Sequence, residues 1–313
     1  MVATSPKIKA ARLSILTAIF LALLKLFTGI LTGSLAVISS AIDSLMDIIM
    51  SGVNLVAIHH ADQPADDKHP YGHGKFETLA TIFQAIVIAI SGSWIIYEAI
   101  QRILGGSQVH QPLSGIIVMM ISILFSLFIS RYLRRVARET DSTALKADAL
   151  HFSMDVYTNL ALLIGLVIIA RFKIYWLDPI MSIFVAVYIL IESIRLLRHG
   201  IRDVLDEQLP DTIRQEIEAL IEKNNHDLFG YHNLRTRRAG SQKLIDFHLT
   251  VCKHLSVEEA HNITDYIEKK IAERISGTDV TIHVEPCRKH ECPGRDACQV
   301  ETIRSSVLQH NKG

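Results

Sequence analysis

The sequence predicts an α-helical membrane protein of six spanning helices, followed by a small C-terminal α+β domain of αββαβ order. Composition is the first indication, since 49% of the 313 residues are hydrophobic and only 20% charged, with a mean hydropathy of +0.28, above that of an ordinary soluble domain. Second, apolar runs of spanning length fill the chain up to about residue 198. Third, the composition turns polar after about residue 206, where helix-period and strand-period patterns alternate. Lys plus Arg and Asp plus Glu balance at 32 each, so there is no basic excess of the kind that nucleic-acid binding needs.

The apolar runs cover residues 12–32, 35–58, 77–100, 113–131, 145–170 and 177–198. Each approaches or exceeds the roughly 20 residues that cross a hydrocarbon layer about 30 Å thick. The first is longer than a signal-peptide core and lacks a small-residue cleavage site, which predicts a retained span. Connections after the first, third and fifth runs are brief, whereas those after the second and fourth are polar and basic. Lys7, Lys9, Arg12, Arg131, Arg134, Arg135, Arg138, Lys146, Arg198 and Arg202 fall on one side, and only Arg102, Arg171 and Lys173 on the other. The positive-inside rule then puts both termini in the cytoplasm of a multi-pass protein of the inner (plasma) membrane.

In the C-terminal part, Ile213, Ile217, Leu220 and Ile221 mark an amphipathic helix behind Pro210-Asp211. Strands over 231–238 and 243–251 flank Ala239-Gly240-Ser241; along the second, Ile245, Phe247, Leu249 and Val251 alternate with polar residues, so His248 faces away from the apolar side. A helix over 256–275 opens on Ser256 with Glu259 three residues on, a capping-box pattern. The last strand, 279–285, buries Val280, Ile282 and Val284 and turns Thr281, His283 and Glu285 the other way. These patterns divide the chain into a transmembrane domain (1–205), a cytosolic domain (206–287) and an irregular Cys/His-containing tail (288–313). All the cysteines (Cys252, Cys287, Cys292 and Cys298) lie in the polar part, where a cytosolic location favours free thiols or metal ligands over disulfides.

Two carboxylates, Asp43 and Asp47, sit four residues apart in the second run. An Asp at a span centre costs roughly 2.5–3.5 kcal/mol on insertion scales, so such residues face a protein interior or a wet cavity. His151 and Asp155 repeat the spacing in the fifth run. Two helices offering two ligands each can close around one divalent cation with the four donors zinc prefers. The competing interpretation pairs the aspartates with Lys25 of the first run; Asp148 is expected at the cytoplasmic margin as an access or capping charge. Such a site binds metal only when deprotonated, so protons compete with the cation, which is the basis of a proton antiport cycle. Cys287, His290, Cys292 and Cys298 form a C-x2-H-x-C-x5-C set, either zinc ligands or reactive thiols on an irregular tail. No HExxH pattern occurs, and a closed four-ligand site leaves no position for a reactive water, which argues against an enzyme.

Several stretches carry a likeness: DSLMD at 43–47, QPADDKHPYGHGK at 63–75, ALKADALHFSMD at 144–155, LDEQLPD at 205–211, LRTRRAG at 234–240 and IHVEPC at 282–287. On these the sequence resembles the cation diffusion facilitator family, of the bacterial zinc and ferrous-iron efflux type. The resemblance implies a homodimer whose cytosolic domain is ferredoxin-like, with Asp43, Asp47, His151 and Asp155 as transport site. It further implies a loop site of Asp66, His69 and His73, a hinge salt bridge between Lys75 and Asp206, and a binuclear site at the dimer interface. That third site takes His232, His248, His261, His283 and Glu285, the last standing where the relatives carry Asp. Zinc is the implied cargo and regulator, with cadmium or ferrous iron close behind and manganese or cobalt as alternatives. A metal sensor or assembly scaffold that moves nothing is the rival from another class.

Overall fold

A computed structural model describes residues 5–32, 35–105, 113–172, 177–223 and 230–287. It divides into two units, Met1–Val204 and Leu205–Gly313. The first contains helices α1 (Pro6–Thr32), α2 (Leu35–Ala61), α3 (Lys75–Gly105), α4 (Leu113–Thr140), α5 (Thr143–Phe172) and α6 (Leu177–Val204). At 1.5 Å per residue all are about 40 Å long or more, enough to cross a bilayer. Among the described residues, the stretches Pro6–Leu31, Lys75–Leu104, Ile116–Thr140 and Pro179–Val204 are both long and apolar enough to do so. α2 and α5 carry the candidate ligands.

α1 packs on α2 and α4, α4 on α5, and α3 on α6. Where α1, α2, α4 and α5 meet, small residues predominate: Ala10, Ala11, Ala18, Ala57, Ala137, Ala144 and Ala149 are buried with Ile58, Leu133 and Phe152. Lipid tails are as apolar as leucine, so helices in a membrane gain from close backbone approach rather than from apolar burial alone. Gly200 marks such an approach between α6 and α3, since a Cβ there would stand 2.5 Å from Ile82 Cγ1. At one end of the bundle a single ammonium joins three helices. Lys7 Nζ lies 2.9 Å from Asp62 Oδ1 and 3.1 Å from Glu77 Oε1, and the Glu77 side chain is fully buried.

The second unit contains α7 (Asp211–Lys223), β1 (Gly230–Ala239), β2 (Gln242–Val251), α8 (Val257–Arg274) and β3 (Thr278–Pro286). The sheet order is β1-β2-β3, with an antiparallel β1/β2 hairpin and a parallel β2/β3 pair. Parallel neighbours need a crossover, and α8 supplies it. Gly240 takes the hairpin turn at φ 62, a conformation that costs glycine nothing. Ile217 and Ile221 of α7, Ile263, Ile267 and Ile271 of α8, and the odd-numbered β2 residues Ile245 to Val251 form one core under the sheet. The capping box at α8 is made as the pattern predicts: Ser256 Oγ accepts from Glu259 N at 3.2 Å and Ser256 N donates to Glu259 Oε2 at 2.9 Å. One sheet face is thus filled by the two helices, and the histidines stand on the other.

Candidate metal centres

The first centre joins α2 to α5. Asp47, His151 and Asp155 each present a ligand atom, all within 4.8 Å of one another, and His151 Nε2 lies 2.9 Å from Asp47 Oδ1. Donors around a zinc ion at about 2.0–2.1 Å stand about 3.3 Å apart, so small side-chain shifts complete the set. Asp43 lies one turn before Asp47 on α2; its side chain falls outside the described residues. Lys25, the sequence-based rival for the aspartates, donates to Ser44 Oγ at 2.8 Å and adds positive charge beside Asp47, while Asp47 itself is hydrogen-bonded to His151 and to Ser44.

Asp148, one turn before His151, differs from expectation. It lies inside α5 rather than at its cap, and is fully buried between α1, α2 and α5. Ser14 Oγ donates to its Oδ2 at 2.6 Å and Ser51 Oγ reaches its Oδ1 at 3.5 Å. Serines scattered in apolar runs were the only local signal of this support, and its partners are set by tertiary packing.

The second centre is the loop between α2 and α3, where Asp66, His69 and His73 bring ligand atoms within 4.8 Å. The backbone N–H groups of His69 and Lys68 donate to Asp66 Oδ1 at 2.6 and 2.9 Å. These bonds, the His69 one foremost, hold the exposed carboxyl below the usual carboxylate range. His73 Nδ1 lies 3.1 Å from the Pro64 carbonyl. A carbonyl can only accept, so Nδ1 carries a proton, and Nε2 faces Asp66 Oδ2 at 3.4 Å. Gly72, at φ 77, makes the turn that returns His73 to the aspartate.

The third centre stands on the open face of the sheet. His232, His248 and His283 are cross-strand neighbours in register, and Glu285 follows His283 by two residues on the same face. His248 Nδ1 lies 2.9 Å from Glu285 Oε1, His232 Nε2 3.5 Å from Oε2, and His283 Nε2 4.0 Å from Oε1. His232, His248 and Glu285 form a three-donor group within 4.8 Å; His283 adjoins it, its ring 4.8 Å from that of His248. His261 is exposed on α8 and is not part of this group among the described residues. A bulge after His232, with Asn233 at φ 54, ends the regular register there.

The hydrogen bond from His248, then the charges of the surrounding histidines, hold the Glu285 carboxyl below its usual range. A lowered carboxyl favours the folded state above the ordinary carboxylate pKa, and that contribution is lost as pH falls through the lowered value. With metal chelated, Glu285→Gln is therefore expected to flatten the acid limb of stability of the second unit as pH falls below the ordinary carboxylate range, read as the denaturation midpoint against pH. An unchanged limb would remove Glu285 from that role.

The remaining sequence-based candidates divide. Lys75 opens α3 in the first unit, and Asp206 belongs to the second, where Arg237 Nη1 donates to its Oδ1 at 3.3 Å. Cys252 and Cys287 are buried free thiols. His290, Cys292 and Cys298 lie outside the described residues.

Residues 11–205 match the cation efflux transmembrane domain, and residues 209–287 match the cytoplasmic domain of cation efflux proteins. The cation-efflux pump FieF of Citrobacter koseri is 34% identical over 279 residues, covering 89% of this chain and 92% of the relative. Its namesake from Salmonella newport is 35% identical over 267 residues, covering 85% and 88%. Among solved structures, the metal-bound C-terminal domain of the CzcD transporter from Thermotoga maritima is 33% identical, covers 26% of this chain and 93% of that domain, and has a TM-score of 0.24. With matches running through both units and relatives spanned nearly end to end, the chain belongs to the cation diffusion facilitator family and is a divalent-cation efflux transporter.

Proposed function

We propose that the chain exports zinc from the cytoplasm in exchange for protons, as a homodimer in the inner membrane with both termini cytoplasmic. The observation that carries this is the convergence of Asp47, His151 and Asp155 from two long helices on one coordination sphere. One imidazole among carboxylates suits zinc better than an all-oxygen site, which favours manganese or magnesium. Asp43 completes the four donors. Because every donor must give up a proton to bind, exposure to the more acidic side promotes release, and rocking of α2 and α5 alternates the access.

The loop centre of Asp66, His69 and His73 is a cytosolic-side binding site. His232, His248, His283 and Glu285, joined by His261 in the dimer, are a regulatory one whose occupancy draws the two copies together. Lys75 and Asp206 are the hinge pair that the resemblance implies. Radiolabelled zinc uptake into proteoliposomes under an imposed pH gradient is the test: gradient-dependent uptake is expected, and no uptake at any gradient refutes the proposal. His151→Asp is expected to shift preference from zinc toward manganese by about tenfold or more, read by calorimetric titration of both metals. An unchanged preference would show that the imidazole does not set selectivity.

A further inference from the structure

Beyond Asp155 along α5, a cavity of about 300 Å3 opens between α3, α5 and α6. Its lining includes Glu98 and Arg102 of α3, Thr158 and Asn159 of α5, and Ser182 of α6. The α3 and α6 residues lie inside the segments Lys75–Leu104 and Pro179–Val204, which are otherwise apolar enough to span a membrane. Glu98 falls within the third apolar run and Arg102 just past its end, in the last turn of α3; an ionisable group within a span is by default a candidate for an ion path.

Hydrogen bonding ties this cavity to the ligand helix. Asn159 Nδ2 donates to the Asp155 carbonyl at 2.7 Å, and Thr158 Oγ1 donates to the Met154 carbonyl at 2.9 Å. Those bonds occupy the Thr158 hydroxyl proton and one Asn159 N–H, and do not engage the acceptors, Asn159 Oδ1 and the Thr158 Oγ1 lone pairs. On the α3 wall, Arg102 Nη2 donates to Glu98 Oε1 one turn away. A divalent cation leaving Asp155 in this direction meets oxygen donors and the Met154 thioether but no imidazole. Such a set holds zinc more weakly than one with an imidazole, and descending affinity is what release requires.

We propose that Glu98, Thr158 and Asn159 form an exit subsite for the departing cation, and that Arg102 keeps it weak by competing for the Glu98 carboxylate. The subsite rests on the efflux function and on the orientation with both termini cytoplasmic, which puts the later half of α5 on the release side. A cation returning from that side then finds a carboxylate already neutralised.

The test uses the full chain in liposomes preloaded with graded zinc, measuring initial zinc uptake. Arg102→Gln is expected to lower the lumenal zinc that half-inhibits uptake by about fivefold, in keeping with the upper range for an accessible ion pair. Arg102→Lys, which keeps the charge, retains the wild-type value, and the double variant Glu98→Gln/Arg102→Gln loses the shift. Equal half-inhibition in wild type and Arg102→Gln overturns the subsite while leaving the efflux function intact, and so does a double variant that keeps the shift. A pair that only supports the helix lowers the folded fraction without moving the half-inhibition constant, which also overturns it. A wild-type chain that moves no zinc removes the efflux function and the subsite together.

Discussion

Asp155→Ala and Asp47→Ala are each expected to lower zinc flux into proteoliposomes by more than about 100-fold, beyond the loss typical of removing an outer-shell partner of a metal. In Asp155→Ala, Asp47 and His151 remain 2.9 Å apart and satisfy one another. An incoming cation must then break that contact and gains one donor fewer in return. In Asp47→Ala the imidazole loses its close partner, and α2 retains only Asp43. The competing structural role for Asp47 is neutralisation of Lys25. If that were its main task, Lys25→Ala would depress flux as deeply as Asp47→Ala, whereas the Lys25 contact to Ser44 predicts a much smaller effect. Flux within about threefold of wild type, under 1 kcal/mol by the usual conversion, in either aspartate variant would remove that residue from the site. Both variants should remain folded, since neither side chain contributes to the alanine-rich core.

Phe247→Ala is expected to cost about 3–5 kcal/mol, the usual range for emptying a large aromatic site. Phe247 is only 1% exposed, lies mid-strand in β2, and packs edge-on against Tyr231 with ring centroids 6.4 Å apart. A whole domain is stable by only about 5–15 kcal/mol, so the loss is a large share of the second unit's stability. Hydrogen exchange of β1, β2 and β3 peptides in the detergent-solubilised protein checks this. Exchange should rise in all three strands together, because the sheet shares one core. Rates raised in β2 alone would contradict it. The histidines of the third centre stand on the same strands, so metal binding there should fall with the fold.

Class and order of elements were legible because the solvent dictates the pattern. Lipid demands unbroken apolar runs, while a sheet covered on one face demands alternation, as Ile245, Phe247, Leu249 and Val251 display. Helix ends in the first unit were less legible. The fourth apolar run stops at 131, yet α4 continues to Thr140, since Leu133, Val136 and Ala137 still bury against neighbours while arginines face outward. Hydropathy reports where lipid ends, not where hydrogen bonding does. Ligand pairs four apart on one helix could be read directly, because one turn separates them. Whatever needs a second helix could not: the serines around Asp148, the pairing of Lys7 with Asp62 and Glu77, and the distance of His261 from the other histidines all depend on packing that no local spacing encodes.

The bond from Lys7 to both Asp62 and Glu77 reaches further than anchoring. Those carboxylates bracket the loop that bears Asp66, His69 and His73, so one ammonium pins both its ends. The loop is thereby short-tethered and travels with the helix termini rather than swinging by itself. Any tilt that parts α2 from α3 at this end must first pull a buried charge off its partner, which makes Lys7 a latch on that movement.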